Sequence, residues 1–323
     1  MESKIRIAAF SFFCLASVVP AAMAQGQTTT VSSSTAPTAT VIAPGAKLEK
    51  LAGGFAFTEG PASDAKGNVL FTDQPNDRIL EWSIDGKLST FLQPAGRSNG
   101  LCVDRDGSLW ACADEQNELW SIARPKKGKA KPAVRVVLKA DPDNKLLNGP
   151  NDLWIRPTGG GMYFTDPLYK RPYWKRDPAM QPKGQYVYYL TPDRKTFRAV
   201  VTDLKQPNGI IGTPDGKMLY VADIGDSKTY SYRIGADGTL TDKTLFYPLG
   251  SDGMTIDDAG NVYLTGKGVT VVDKTGKLVE NIPVPEAWTA NVCFGGKDRK
   301  TLFITASTGL YGVRTRTKGV GSQ

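Results

Sequence analysis

The chain of 323 residues contains no histidine, and that absence removes whole classes of chemistry. Ser-His-Asp and Cys-His nucleophile activation both need an imidazole base, and His-ligated zinc needs the same ring as a ligand. Gly96-Arg97-Ser98-Asn99-Gly100 spells G-x-S-x-G, but with no histidine to take its proton Ser98 is not an activated nucleophile, and we read the match as chance. Cysteine is scarce as well. Of four, Cys14 falls in an N-terminal leader, which leaves Cys102, Cys112 and Cys293, an odd number. Cys102 and Cys112 flank one expected hairpin, and simple pairing around its turn sets Cys102 nearer Trp110, so free, buried thiols are expected. Beyond the leader there is no run of about 18 apolar residues, so no stable membrane insertion is expected.

The leader has a processing pattern. Lys4 and Arg6 precede a mostly apolar run from Ile7 to Val19, and Ala22-Met23-Ala24 supplies the small-x-small site of a signal peptidase. Residues 1–24 are therefore expected to be a secretory signal, and the protein to be periplasmic or secreted. Residues 25–46 are rich in Ser, Thr, Ala and Pro and are expected to form a flexible linker. The formal charge of +8 becomes +7 without the signal, since Lys4 and Arg6 leave with Glu2. That excess weakly favours anionic small molecules or surfaces.

What is present is a repeat. AKGNVLFTD, DGSLWACAD, GGGMYFTD, DGKMLYVAD, AGNVYLTG and DRKTLFITA each join a turn to a short strand rich in β-branched or aromatic residues. The segments before those turns are TEGPASD, SNGLCVD, PNDLWIR, PNGIIGT, SDGMTID and ANVCFGG. Aligned on the turn, one position five residues upstream holds Glu59, Asn99, Asn151, Asn208, Asp252 and Asn291, spaced by 40, 52, 57, 44 and 39 residues. Such a period predicts an all-β fold, a six-bladed β-propeller over residues 47–316 with a short tail at 317–323. The last blade lacks its outer strand, and residues 47–53 (KLEKLAG) are expected to supply it, closing the ring and removing an exposed edge.

The innermost strands of a propeller line its channel, so the six aligned side chains should ring one mouth. Glu59, Asn151, Asn208 and Asp252 together offer hard oxygen donors, which suit calcium or magnesium. Manganese, iron or zinc on oxygen ligands remain open. The motifs TEGPASD, NGPNDLWI, YFTDP, QPNGI, YVADIGDSK, SDGMTIDDAGNVYL and NVCFGG, in this order over residues 50 to 314, resemble those of the SMP-30/gluconolactonase family of lactonases. The resemblance implies hydrolysis of sugar lactones or related esters with calcium or another divalent cation. It implies a metal held at Glu59, Asn208 and Asp252, usually joined by Asn151, with Asp252 also a candidate general base.

The expected chemistry is attack by an activated water on the lactone carbonyl, with Asp252 and Glu59 as catalytic groups. Asn151 and Asn99 would orient substrate hydroxyls, with Asn148 and Asp152 contributing beside the ring position; Asn291 is the weakest candidate. A non-catalytic carbohydrate- or protein-binding propeller with a structural cation stays open. So does the same site used for aryl ester or phosphotriester hydrolysis, or for sugar dehydration. Tyr169 to Arg176 (YKRPYWKR) should project as a loop, either a lid gripping an acidic sugar or a solvated turn. The basic run 123–135 reads as a hairpin insertion, and no nucleic-acid partner is expected.

Overall fold

A computed structural model describes residues 40–125, 131–141, 143–174 and 184–320. The expected signal and most of the expected linker lie outside the described residues, as do Lys175 and Arg176 of the loop and the middle of the basic run. The described strands form six four-stranded sheets, a six-bladed β-propeller. After β1 (Glu49–Gly53), the first blade comprises β2 (Thr58–Ser63), β3 (Val69–Asp73), β4 (Arg78–Trp82) and β5 (Leu88–Leu92), ordered from the axis outward. The second comprises β6 (Ser98–Val103), β7 (Leu109–Ala113), β8 (Glu118–Ala123) and β9 (Ala133–Leu138). The third comprises β10 (Leu153–Ile155), β11 (Met162–Asp166), β12 (Tyr186–Leu190) and β13 (Phe197–Val201). The fourth follows with β14 (Pro207–Gly212), β15 (Met218–Asp223), β16 (Lys228–Ile234) and β17 (Leu240–Tyr247). The fifth has β18 (Met254–Ile256), β19 (Val262–Gly266), β20 (Gly268–Val272) and β21 (Leu278–Ile282). The sixth has β22 (Thr289–Gly295), β23 (Thr301–Ala306) and β24 (Gly309–Arg314), and β1 completes it by pairing antiparallel with β24. The expected closure by the N-terminal strand is thus present.

Each second strand is sandwiched between two blades, so both of its faces are dry. That is why VLFTD and MYFTD read as continuous buried runs rather than alternating ones. Apolar clusters straddle successive blade pairs. Leu70 and Ile79 of the first blade meet Leu101 and Leu109 of the second, and Phe71 meets Phe303 of the sixth. The same turn recurs between first and second strands. In the first blade Gly67 N–H donates to Asp64 O at 3.0 Å and Asp64 N–H to Asn68 O at 2.9 Å; Gly260 and Asp257 repeat this in the fifth. A fixed turn fixes the register of both strands, which is why counting back from it finds equivalent positions.

A second recurring device anchors the segment that enters each inner strand. Asp223, at the end of β15, accepts from the backbone N–H groups of Lys205 and Gln206, both at 2.9 Å. Asp166 does the same for Asn148 and Gly149, at 2.9 and 2.8 Å, and Asp73 for Ala56 and Phe57. Replacing Asp223 with Ala removes the acceptor of two donors that are only partly shielded from water. The expected loss is about 1–3 kcal/mol of stability, read from denaturant unfolding midpoints; a change under 0.5 kcal/mol would discount the anchor.

The packed body extends past the expected 47–316. Val41 is buried in the core between the fifth and sixth blades, Thr40 Oγ1 donates to Glu280, and Ile42 bridges to Thr315. At the other end Gly319 pairs with Asp257, so part of the expected tail belongs to the fold too. Cys102, Cys112 and Cys293 are free, and Cys102 pairs with Trp110 across the hairpin. No helix among the described residues is long and apolar enough to cross a membrane.

Candidate metal centre at the propeller mouth

The ladder between first and second strands is irregular at the ring position. Register shifts fall between Glu59 and Ala62, Ser98 and Leu101, Pro207 and Ile210, and Thr289 and Asn291; in the third and fifth blades the strand starts two residues after Asn151 and Asp252. A bulge of this kind re-aims a side chain out of the pleat. Glycine follows four of the six ring residues because the neighbouring blade passes too close for a Cβ. One built on Gly60, at φ +44°, would lie 2.1 Å from the Asn99 carbonyl oxygen, and one on Gly100 2.5 Å from that of Asn151.

Hydrogen bonds between blades tie the ring positions into a belt. Thr72 Oγ1 donates to Asn99 O at 3.1 Å, Gly100 N to Asn151 O at 2.7 Å and Thr165 Oγ1 to Asn208 O at 2.8 Å. Gly209 N donates to Ser251 O at 3.3 Å, Thr265 Oγ1 to Ala290 O at 2.7 Å and Thr58 N to Ser307 O at 2.8 Å, completing the circuit. The side chains at the mouth are therefore held by a stiff frame, as a preorganised site requires.

Asn208 and Asp252 are joined directly. Asn208 is 1 % exposed, and its Nδ2 donates to Asp252 Oδ1 and to the Tyr169 hydroxyl, both at 2.8 Å. A carboxylate needs a donor, so this pair fixes which end of the carboxamide is nitrogen. Asn208 Oδ1 is then a buried acceptor with no hydrogen-bond partner among the described residues. Trp288 Nε1 donates to Asp252 Oδ2 at 2.6 Å. Glu59, 4 % exposed, accepts at Oε2 from Gly60 N–H at 3.1 Å. Burial, with the charge of Asp252 next, pushes the Glu59 carboxyl well above the ordinary glutamate range, against the pull of the Gly60 N–H. Burial raises Asp252 too, partly offset by its bonds from Trp288 and Asn208 and by the charge of Arg171.

Two carboxylates that resist ionisation, Glu59 buried and Asp252 half-buried beside an unpartnered carboxamide oxygen, fit a hard divalent cation. Its charge would remove the repulsion, and its coordination would satisfy the oxygen. No group of three or more His, Cys, Asp or Glu able to hold a metal stands among the described residues, so the donor set depends on amide oxygens beside two acids.

The other expected residues divide. No hydrogen bond to the carboxamide of Asn99 or Asn151 is formed among the described residues, and both belong to the belt through their carbonyls. Asn148 spends its Nδ2 on the carbonyls of Asp166 and Gly184, at 3.0 and 2.8 Å. Asp152 stands where four of the other blades have glycine and, with Asn291, lines an axial cavity of ≈ 120 Å³ past the ring, walled by Trp154, Met254 and Phe294. Burial lifts the Asp152 carboxyl to about 7, with hydrogen bonds from Leu153 N–H and Asn291 pulling the other way. The cavity lies among the later residues of the inner strands and does not include Glu59, Asn208 or Asp252, so we place the candidate centre at the mouth.

Sequence reasoning missed Trp288, Tyr169 as a partner of Asn208, and Asp114. Trp288 lies in the loop three residues before Asn291, so an aromatic just upstream of a ring position was the signal available. Of the loop from Tyr169, the described part packs down. Arg171 stacks over Tyr169 at 5.1 Å from the ring centroid, Arg97 over Tyr173 at 4.5 Å, and the Tyr173 hydroxyl donates to Asp114 Oδ2 at 2.7 Å.

Fold and mouth together define a six-bladed propeller with a rigid ring of oxygen donors. Residues 57–308 match the family model for the SMP-30/gluconolactonase/LRE-like region, and the chain belongs to that family. It is 28 % identical over 318 residues to the gluconolactonase of Zymomonas mobilis subsp. mobilis, covering 84 % of this chain and 82 % of that one. An X-ray structure provisionally called a gluconolactonase superposes with TM-score 0.78 at 31 % identity, covering 86 % of this chain and 95 % of that one. The gluconolactonase structure from Xanthomonas campestris superposes with TM-score 0.73 at 27 % identity, covering 85 % and 91 %. Family and fold support hydrolase activity of the lactonase type in general, with a small sugar lactone or ester as substrate.

Proposed function

We propose that this protein hydrolyses a sugar lactone in a reaction that depends on a divalent cation, calcium being favoured over magnesium, manganese, zinc or iron. The observation that carries the reading is Asn208 Oδ1, a buried acceptor left without a partner among the described residues, on a carboxamide bonded to Asp252. Glu59, Asn151, Asn208 and Asp252 would hold the ion. When bound, the ion supplies a Lewis acid that polarises the lactone carbonyl and steadies the negative charge developing on its oxygen.

The chain's own groups do the rest. Asn99 and Asn151, with uncommitted carboxamides, orient substrate hydroxyls. Trp288 holds Asp252 Oδ2, and Asn208 holds Oδ1, so the carboxylate presents a fixed edge to a water. Asp252 accepts the proton as that water attacks the carbonyl carbon. The ring C–O bond then breaks, and the departing ring oxygen takes up the proton to become a hydroxyl, which leaves an open-chain hydroxy acid. Glu59 keeps a second negative charge at the mouth, and the belt holds it in place while the substrate reacts. The same proposal has the protein exported, on the strength of the leader ending at Ala22-Met23-Ala24.

A panel of aldonolactones and aryl esters, assayed with and without EDTA, tests the reading. Turnover of at least one lactone, lost on chelation and restored by calcium, is the expected result. A protein that binds the cation yet turns over no lactone would instead be a binding propeller.

A further inference from the structure

We propose that Arg171 forms an anion subsite at the mouth and that the lactone processed here carries a second, anionic group at its far end, a carboxylate or a phosphate. This rests on the lactonase reading above and narrows its substrate class. The first support is a break in the anchoring device. Asp73, Asp166 and Asp223 each clamp backbone N–H groups of their own blade. Asp114, the matching residue of the second blade, turns to the loop of the third. Its Oδ2 accepts from Arg171 Nε at 3.2 Å and from the Tyr173 hydroxyl at 2.7 Å.

Arg171 is thereby fixed rather than waving in solvent. Its guanidinium lies over Tyr169, whose hydroxyl accepts from Asn208, so the stack stands on a proposed ion-binding residue. The side chain is 26 % exposed, and its two Nη groups make no hydrogen bond among the described residues. Two parallel donors, flat and unspent, match a carboxylate or phosphate edge. Once a divalent cation balances the Glu59 and Asp252 carboxylates, the mouth beside Arg171 favours an anion over a neutral hydroxymethyl group.

The test uses lactams, whose ring nitrogen resists hydrolysis, so that binding is read apart from turnover. Calorimetry on the calcium-loaded protein would compare a neutral gluconolactam with analogues bearing a terminal carboxylate or a 6-phosphate. The wild type is expected to prefer at least one anionic lactam by about 10- to 100-fold, the range of a charge-assisted hydrogen bond. Which one wins identifies the anion. In Arg171→Gln the ratio should fall to near one, and Arg171→Lys, which keeps the charge but loses the fork, should fall between, with far-UV dichroism unchanged in both. Equal affinity for all three lactams in the wild type, or a preference that survives Arg171→Gln, would overturn the proposal. If the anionic preference holds while no lactone in the panel is turned over, the subsite stands as one for acidic sugars and the lactonase reading falls.

Discussion

Glu59→Gln and Asp252→Asn should each lower lactone turnover on the order of 10²–10⁴-fold while the propeller stays folded. Both exchanges are nearly isosteric, and each removes one of the two carboxylates proposed to hold the ion. The structure makes a sharper forecast, because the two variants should differ in stability. Glu59 is buried and disfavours its own ionised form, and Gly60 N–H needs only one oxygen, which glutamine still provides. Metal-free Glu59→Gln should therefore be as stable as the metal-free wild type at neutral pH, or more so. Asp252 takes a hydrogen bond at each oxygen, from Asn208 and from Trp288. An asparagine there offers an N–H to one of two donors and loses that bond, so Asp252→Asn should melt lower than Glu59→Gln. Turnover within tenfold of wild type in either variant would refute the assignment, and so would a Glu59→Gln protein that fails to fold.

Removing the cation should destabilise the protein, and more so as pH rises. The sign follows from the folded-state carboxyls. Glu59 and Asp252 both lie above their usual ranges, so the metal-free fold favours their protonated forms. That contribution is fully present below the unfolded carboxylate range and is lost as pH climbs through the raised folded values. A bound cation inverts the balance, because it needs both groups ionised. At a hundredfold excess over its dissociation constant it adds about 2.7 kcal/mol, or about 5 °C in melting temperature for a domain of this size. Thermal melts with calcium or with EDTA at pH 5.5 and 7.5 should show a gap that widens at the higher pH. Taking the gap removes common contributions such as Asp226 and Asp298, whose carboxyls are held near 2 by lysine and arginine partners. A gap that shrinks with rising pH, or no gap at all, would count against cation binding at this pair.

The fold was legible because each blade states its own register. The Asp64–Asn68 and Asp257–Asn261 turns fix the pairing of the strands they join, and the ring residues fall out by counting back from them. Local periodicity was enough, since five of the six blades fold from neighbouring sequence. Contacts between blades were not legible in the same way. Trp288 reaches Asp252 across 36 residues and Arg171 reaches Asp114 across 57, and nothing local announces either pair. Asn148 shows the converse limit. Its position beside the ring was visible, but its amide is consumed by the Asp166 and Gly184 carbonyls, which only the fold reveals. Val41 sits in a Thr- and Ala-rich stretch whose composition reads as linker, yet one buried valine and the hydrogen bonds of Thr40 to Glu280 suffice to dock it.

The seam between β1 and β24, with Glu49 opposite Gly312, also sets an order of events at the ribosome. The strand made first has no neighbour until nearly the whole chain has been synthesised, while the intervening blades can form in turn from local hairpins. Ring closure is thus the slow, high-separation step. A message that stops short of Arg314 yields a protein with two open sheet edges, one on each side of the gap, and such edges invite aggregation. Only a chain that has reached β24 can pair β1 and close the ring.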